Sequence, residues 1–173
     1  MADLSDSPSA AWLAAARSGD LYSLKELHAG SVDPPALCAA RAPGVSSAGH
    51  TALHWASAGG HAHCVRWLIS VEECARAAVN RVNNGGSTPL HTAAANGHTT
   101  CVRLLIEAGA ATQATDSNND TPFACAASRA EASSAALLAE HAPPHCFMSL
   151  SIAGRRAGTL IFCLREKEPP TPP

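Results

Sequence analysis

The chain has 173 residues, a formal net charge of -2, and 46% hydrophobic residues of which few are aromatic. That length suits about one domain, and the charge leaves no basic footprint for nucleic acid. No run approaches the roughly 18 apolar residues of a membrane span, and the N-terminus lacks the basic and apolar regions of a secretory signal. The 7 cysteines, an odd number without a secreted context, read as reduced thiols of an intracellular protein, cytoplasmic or nuclear.

Residues 1–9 carry no pattern and are expected to be disordered. From residue 10 a helical register begins with Trp12, Ala15, Ala16, Gly19, Leu24 and Leu27. Lys25, Glu26 and His28 interrupt its second half, as suits a terminal unit with one face in water. Residues 31–48 are longer than a normal connection and predict a mobile loop. The next segment, Thr51-Ala52-Leu53-His54-Trp55-Ala56-Ser57, returns 37 residues later as Thr88-Pro89-Leu90-His91-Thr92-Ala93-Ala94. A worn third copy follows 33 residues on as Thr121-Pro122-Phe123-Ala124-Cys125-Ala126-Ala127. Gly60-His61-Ala62-His63-Cys64-Val65-Arg66-Trp67-Leu68-Ile69 matches Gly97-His98-Thr99-Thr100-Cys101-Val102-Arg103-Leu104-Leu105-Ile106 at the same 37-residue offset.

Each unit therefore predicts two short helices. Thr51, Thr88 and Thr121 suit the N-cap, and Pro89 and Pro122 suit the first helical position. Gly60 and Gly97 end the first helix where a left-handed residue is needed. Gly49, Gly86 and Asn119 precede the capping threonines and can take positive φ. Extra residues at 70–78 are expected to lengthen the second helix of their unit. The last unit departs from the pattern with Ala130 for Gly and Ala124 for His.

The pattern Thr-Pro-Leu-His-x-Ala-Ala, Gly-His, Val-x-x-Leu-Leu, Gly-Ala resembles the ankyrin repeat, whose period is near 33 residues. The resemblance implies an all-α solenoid with short β-turn tips and repeats over about 10–42, 51–87, 88–120 and 121–142. It also implies that His54, His61, His91 and His98 tie neighbouring repeats together. Residues 143–173 fall outside it: Pro143-Pro144 stops any helix, and 148–164 could form a hairpin. The end, with Lys167-x-x-Pro170-x-x-Pro173, reads as a disordered polyproline tail with a weak resemblance to an SH3 ligand.

Sites for chemistry are scarce. His61, His63 and Cys64, echoed by His98 and Cys101, have zinc-ligand chemistry. Each also fills a repeat position, so no metal and no cofactor are expected. No third group orients a Cys–His pair, and no Walker loop, nucleophile elbow or His-Glu-x-x-His is present, so the chain is not expected to be an enzyme. Trp12 and Trp67 fall on core positions, and Trp55 aligns with the small Thr92 and Cys125.

The remaining expectation is protein binding by a monomer through the concave surface that the resemblance implies. The register places Ser47, Ala48, His50, Ala58 and Gly59 there from the second repeat. Asn84, Gly85, Ser87, Ala95 and Asn96 follow from the third, and Ser117, Asn118, Asp120, Ser128 and Arg129 from the fourth. Such a surface is polar and lacks Tyr or Trp. Two other readings stand beside it. One is an adaptor whose tail recruits a second factor such as a ubiquitin ligase, although Leu160 and Cys163 are wrongly spaced for the usual box. The other is a truncated variant of a longer array.

Overall fold

In the computed structural model, residues 7–42 and 49–141 are described. Among them are ten helices and no strand: α1 Pro8–Ser18, α2 Leu21–Ala29, α3 Pro34–Cys38, α4 Ala52–Ala58, α5 Ala62–Ser70, α6 Glu72–Ala78, α7 Pro89–Ala95, α8 Thr99–Glu107, α9 Pro122–Ser128 and α10 Ala132–Glu140. The expected hairpin and polyproline end lie outside the described residues, as do Ser47 and Ala48. Helices α1, α4, α7 and α9 stack in one layer, and α2, α5, α8 and α10 form a second layer behind it. The core runs between the layers as an unbroken row that includes Leu13, Leu24, Leu53, Leu90, Leu105 and Leu138. Alanines at the helix contacts let the backbones approach closely.

The local chemistry repeats with the sequence. The Thr88 side chain accepts the His91 N–H, and Thr121 accepts the Ala124 N–H at 3.2 Å. Helix α1 begins earlier than residue 10, because the Ser7 hydroxyl accepts the Ala10 N–H at 3.2 Å with Pro8 in the first turn. The turn between paired helices is the same in all four repeats. Asp20, His61, His98 and Glu131 donate their backbone N–H to the carbonyls of Ala15, Ala56, Ala93 and Ala126, at 2.9–3.0 Å. The residue before each donor is left-handed: Gly19, Gly60, Gly97 and, with φ 62°, Ala130. The fourth repeat thus keeps the turn despite its alanine.

That alanine makes a paired prediction. Gly97 has φ 73°, and a Cβ added there would run into the Glu131 side chain. Gly97→Ala is expected to destabilise by about 1 kcal/mol. Ala130→Gly relieves a left-handed alanine at some cost in chain entropy, so it should be neutral or stabilise by up to about 1 kcal/mol. Urea melts of the two variants check the opposite signs.

Two insertions differ from the sequence expectation. Residues 31–48, expected to be a mobile loop, contain helix α3. Asp33 Oδ1 accepts the Ala36 N–H at 3.0 Å, and Pro34 starts the helix, so Asp33-Pro34 was a legible start signal. Residues 70–78, expected to extend the preceding helix, instead break from it. The Ser70 hydroxyl donates to the Trp67 carbonyl at 2.7 Å, Val71 turns extended with ψ 114°, and α6 starts afresh. Helices α3 and α6 pack on each other, and Cys38 and Cys74 are joined by a disulfide with their Cα atoms 4.8 Å apart. This corrects the expectation that all the thiols are reduced: the two insertions bring together cysteines that lie 36 residues apart in sequence.

Candidate protein-binding surface

The turn tips between repeats are built by side chains acting on backbone. Asn83 Oδ1 accepts the N–H groups of Gly85 and Ser87 at 2.9 and 3.0 Å, and Asp116 Oδ1 accepts those of Asn118 and Asp120 at 2.8 and 3.0 Å. Gly86 and Asn119 take positive φ in these turns. The Ser117 N–H then donates to the Gly85 carbonyl at 3.0 Å and links one tip to the next. In the second repeat, the Ala42 N–H donates to the His50 carbonyl as the Asn83 N–H does to that of Ser87, with residues 43–49 between the pair where the third repeat has 84–86. Arg41 clamps this tip through the Gly49 and Val82 carbonyls.

Histidine rings fix the spacing of the repeats in two rows. In the first row, His54 Nδ1 accepts the Thr51 N–H at 3.2 Å, which leaves the proton on Nε2 to donate to the Ser87 carbonyl at 2.9 Å. His91 repeats this with Thr88 at 3.1 Å and the Asp120 carbonyl at 3.1 Å. In the second row, His61 and His98 reach back to the Arg17 and Ala58 carbonyls, each at 3.0 Å. The fourth repeat has Ala124 and Glu131 at these two places. Burial drives His54 down to about 4, and it also lowers His91. Both rings are neutral at pH 7, as their accepting nitrogens require.

The groups with zinc chemistry singled out in the sequence are occupied in other ways. His63 Nε2 contacts the Gly19 carbonyl at 2.8 Å, and Cys64 and Cys101 are fully buried. Burial pushes both thiols up to about 11, so neither is a nucleophile near neutral pH.

The candidate surface residues that are described are all at least partly exposed. His50, Ala58, Ser87, Ala95 and Asp120 are partly exposed, and Gly59, Asn84, Gly85, Asn96, Ser117, Asn118, Ser128 and Arg129 are exposed. Seven of them line one open groove of about 290 Å³ between the third and fourth repeats: Ser87, Ala95, Asn96, Asn118, Asp120, Ser128 and Arg129. His91, Thr92, Asp116 and Cys125 complete its wall, and sequence reasoning passed over all four as surface residues. Burial also pushes the Cys125 thiol up to about 11, so in this groove it acts as a small apolar contact.

One aromatic side chain lies beside the candidate residues. Trp55 occupies the position of Thr92 and Cys125, half-buried on the same face. Its ring lies 5.0 Å from the His50 ring, and the Arg17 guanidinium sits over it at 5.0 Å. Trp12 is fully buried and Trp67 is partly buried against the core. The alignment of Trp55 with two small groove-lining residues was the signal available in the sequence.

No helix among the described residues is long and apolar enough to cross a membrane. A search of curated proteins finds no match to the chain. A family model described as ankyrin repeats (3 copies) matches residues 12–116 and again residues 73–147. With the doubled motif, the paired helix layers and the histidine bridges, this match establishes that the chain belongs to the ankyrin-repeat family.

Proposed function

We propose that the chain binds a partner protein on the side carrying Trp55 and the groove of Asn96, Asp120 and Arg129. Ankyrin repeats generally serve as protein–protein interaction modules. The observation that carries the reading here is the contrast between frame and surface. At matched positions the frame keeps its capping Thr in three repeats and its His and Gly in the second and third, while the surface changes from Trp55 to Thr92 to Cys125. A rigid backbone with unlike, partly exposed side chains suits selective recognition of one segment. Trp55 and Arg129 are the residue types that most often anchor interfaces. The groove is polar and carries a protonated thiol rather than a nucleophile, so it offers contacts and no reaction.

The test compares proteins co-purified with the full chain and with three variants. W55A and R129E alter the proposed face, whereas R103E places a charge reversal on the exposed side of α8, in the other layer. Partners lost with W55A and R129E but kept with R103E support the reading, given unchanged circular dichroism. Partners lost only with R103E would move the interface to the second helices.

A further inference from the structure

Three side chains that the repeat pattern does not call for meet in one place. His28 lies in α2 where the matching positions of α5 and α8 hold Ile69 and Ile106. Cys38 and Cys74 lie in α3 and α6, both outside the repeat period. The two sulfurs and a ring nitrogen of His28 all lie within 4.8 Å of one another, with both cysteines buried and the histidine partly buried. The His28 ring packs against two indoles, 6.4 Å from Trp12 and 5.6 Å edge-on from Trp67, and the indoles also meet each other at 6.1 Å. Its Nε2 is buried without a hydrogen-bond partner among the described residues. By contrast, the Nε2 atoms of His54, His61, His63, His91 and His98 all meet backbone carbonyls. A buried ring nitrogen left unsatisfied calls for a reason, and a bound ion is one such reason.

We propose that His28, Cys38 and Cys74 form a zinc site that is available when the two cysteines are reduced and closed when they form the disulfide. Two thiolates and one imidazole are a zinc ligand set that leaves a fourth position for water. Ligand atoms around a tetrahedral zinc stand roughly 3.5–4 Å apart, so small side-chain shifts complete the site once the S–S bond opens. The exchange balances. Two equivalents of a low-molecular-weight thiol reduce the disulfide and leave as their own disulfide, giving two cysteine thiols. Zinc displaces the two thiol protons to solvent, and its charge is matched by the two thiolates. His28 contributes the Nε2 lone pair and keeps its proton on Nδ1. The expectation of no metal came from a different set of residues, His61, His63, Cys64, His98 and Cys101, whose repeat roles are described above.

The experiment uses the full chain, reduced under anaerobic conditions and titrated with zinc under native mass spectrometry. Cobalt serves as a second probe through its thiolate charge-transfer absorption. The reduced chain is expected to take up one zinc and the oxidised chain none. C74S should abolish uptake. H28Q should weaken it by at least about tenfold, because losing a ligand costs no less than losing a second-shell contact to one. A measurement on the unmutated chain covers a folding defect in C74S: zinc should slow alkylation of Cys38 and Cys74 specifically, as mapped by peptide mass. The proposal is overturned if the reduced chain takes up no zinc. It is equally overturned if zinc leaves the alkylation of Cys38 and Cys74 unchanged, or if H28Q binds as tightly as the unmutated chain.

Discussion

Acidification from pH 7 to pH 4 is expected to cost the fold about 3 kcal/mol through His54 alone. In the folded chain, burial holds this ring at about 4 against its ordinary 6.5. Between those values the unfolded chain takes up the proton and the folded chain refuses it. Stability is therefore fully present above pH 6.5 and is lost as the pH falls toward 4. About 2 kcal/mol of the loss should be complete by pH 5. His91 is lowered for the same main reason and adds in the same direction. The structural cause is specific. A protonated Nδ1 can no longer accept the Thr51 N–H, and the site is fully buried, so no water replaces the bond. Urea midpoints at pH 7, 6 and 5 provide the check, with H54Q as the control. Glutamine at the third helical position can still accept from the cap and does not titrate. A midpoint as pH-dependent in H54Q as in the unmutated chain would show that other groups carry the effect.

Leu90→Ala has the other large expected effect. Leu90 is fully buried in α7, which packs against both α4 and α9. Removing the side chain should cost about 3 kcal/mol, because the facing residues include small alanines that cannot reach into the hole. In a linear stack the location matters as much as the size. Each repeat is stabilised by its neighbours, so a weak third repeat uncouples the second from the fourth. Denaturant unfolding should then show a lower midpoint and a shallower slope than in the unmutated chain. Leu138→Ala, in α10, should leave the slope closer to that of the unmutated chain. Equal slopes for the two variants would count against nearest-neighbour coupling in this array.

Much of this frame was legible because single residues do two jobs. Thr88 and His91 cap one helix and bridge to the next repeat, so the pair recurs at fixed spacing and betrays the register. The shared register also located the exposed tip residues Asn84, Gly85, Ser117 and Asn118. The insertions were not legible in the same way. Helices of five and seven residues are too short to show a hydrophobic period. The Arg17–Trp55 contact was hidden for a different reason. Its partners sit in different repeats at non-equivalent positions, and only the stacking geometry brings them together. The meeting of His28, Cys38 and Cys74 was hidden likewise, since it depends on how α3 and α6 fold back over α2.

The Cys38–Cys74 bond also changes the chain as a mechanical object. It makes a covalent loop that encloses α4 and α5, the whole helical pair of the second repeat. Pulled from its two ends, the oxidised chain cannot pay out the 36 residues of that loop. Its fully extended length is shorter than that of the reduced chain by roughly 120 Å. The first and third repeats can be drawn out under tension, while the second stays a closed ring that force along the chain does not enter.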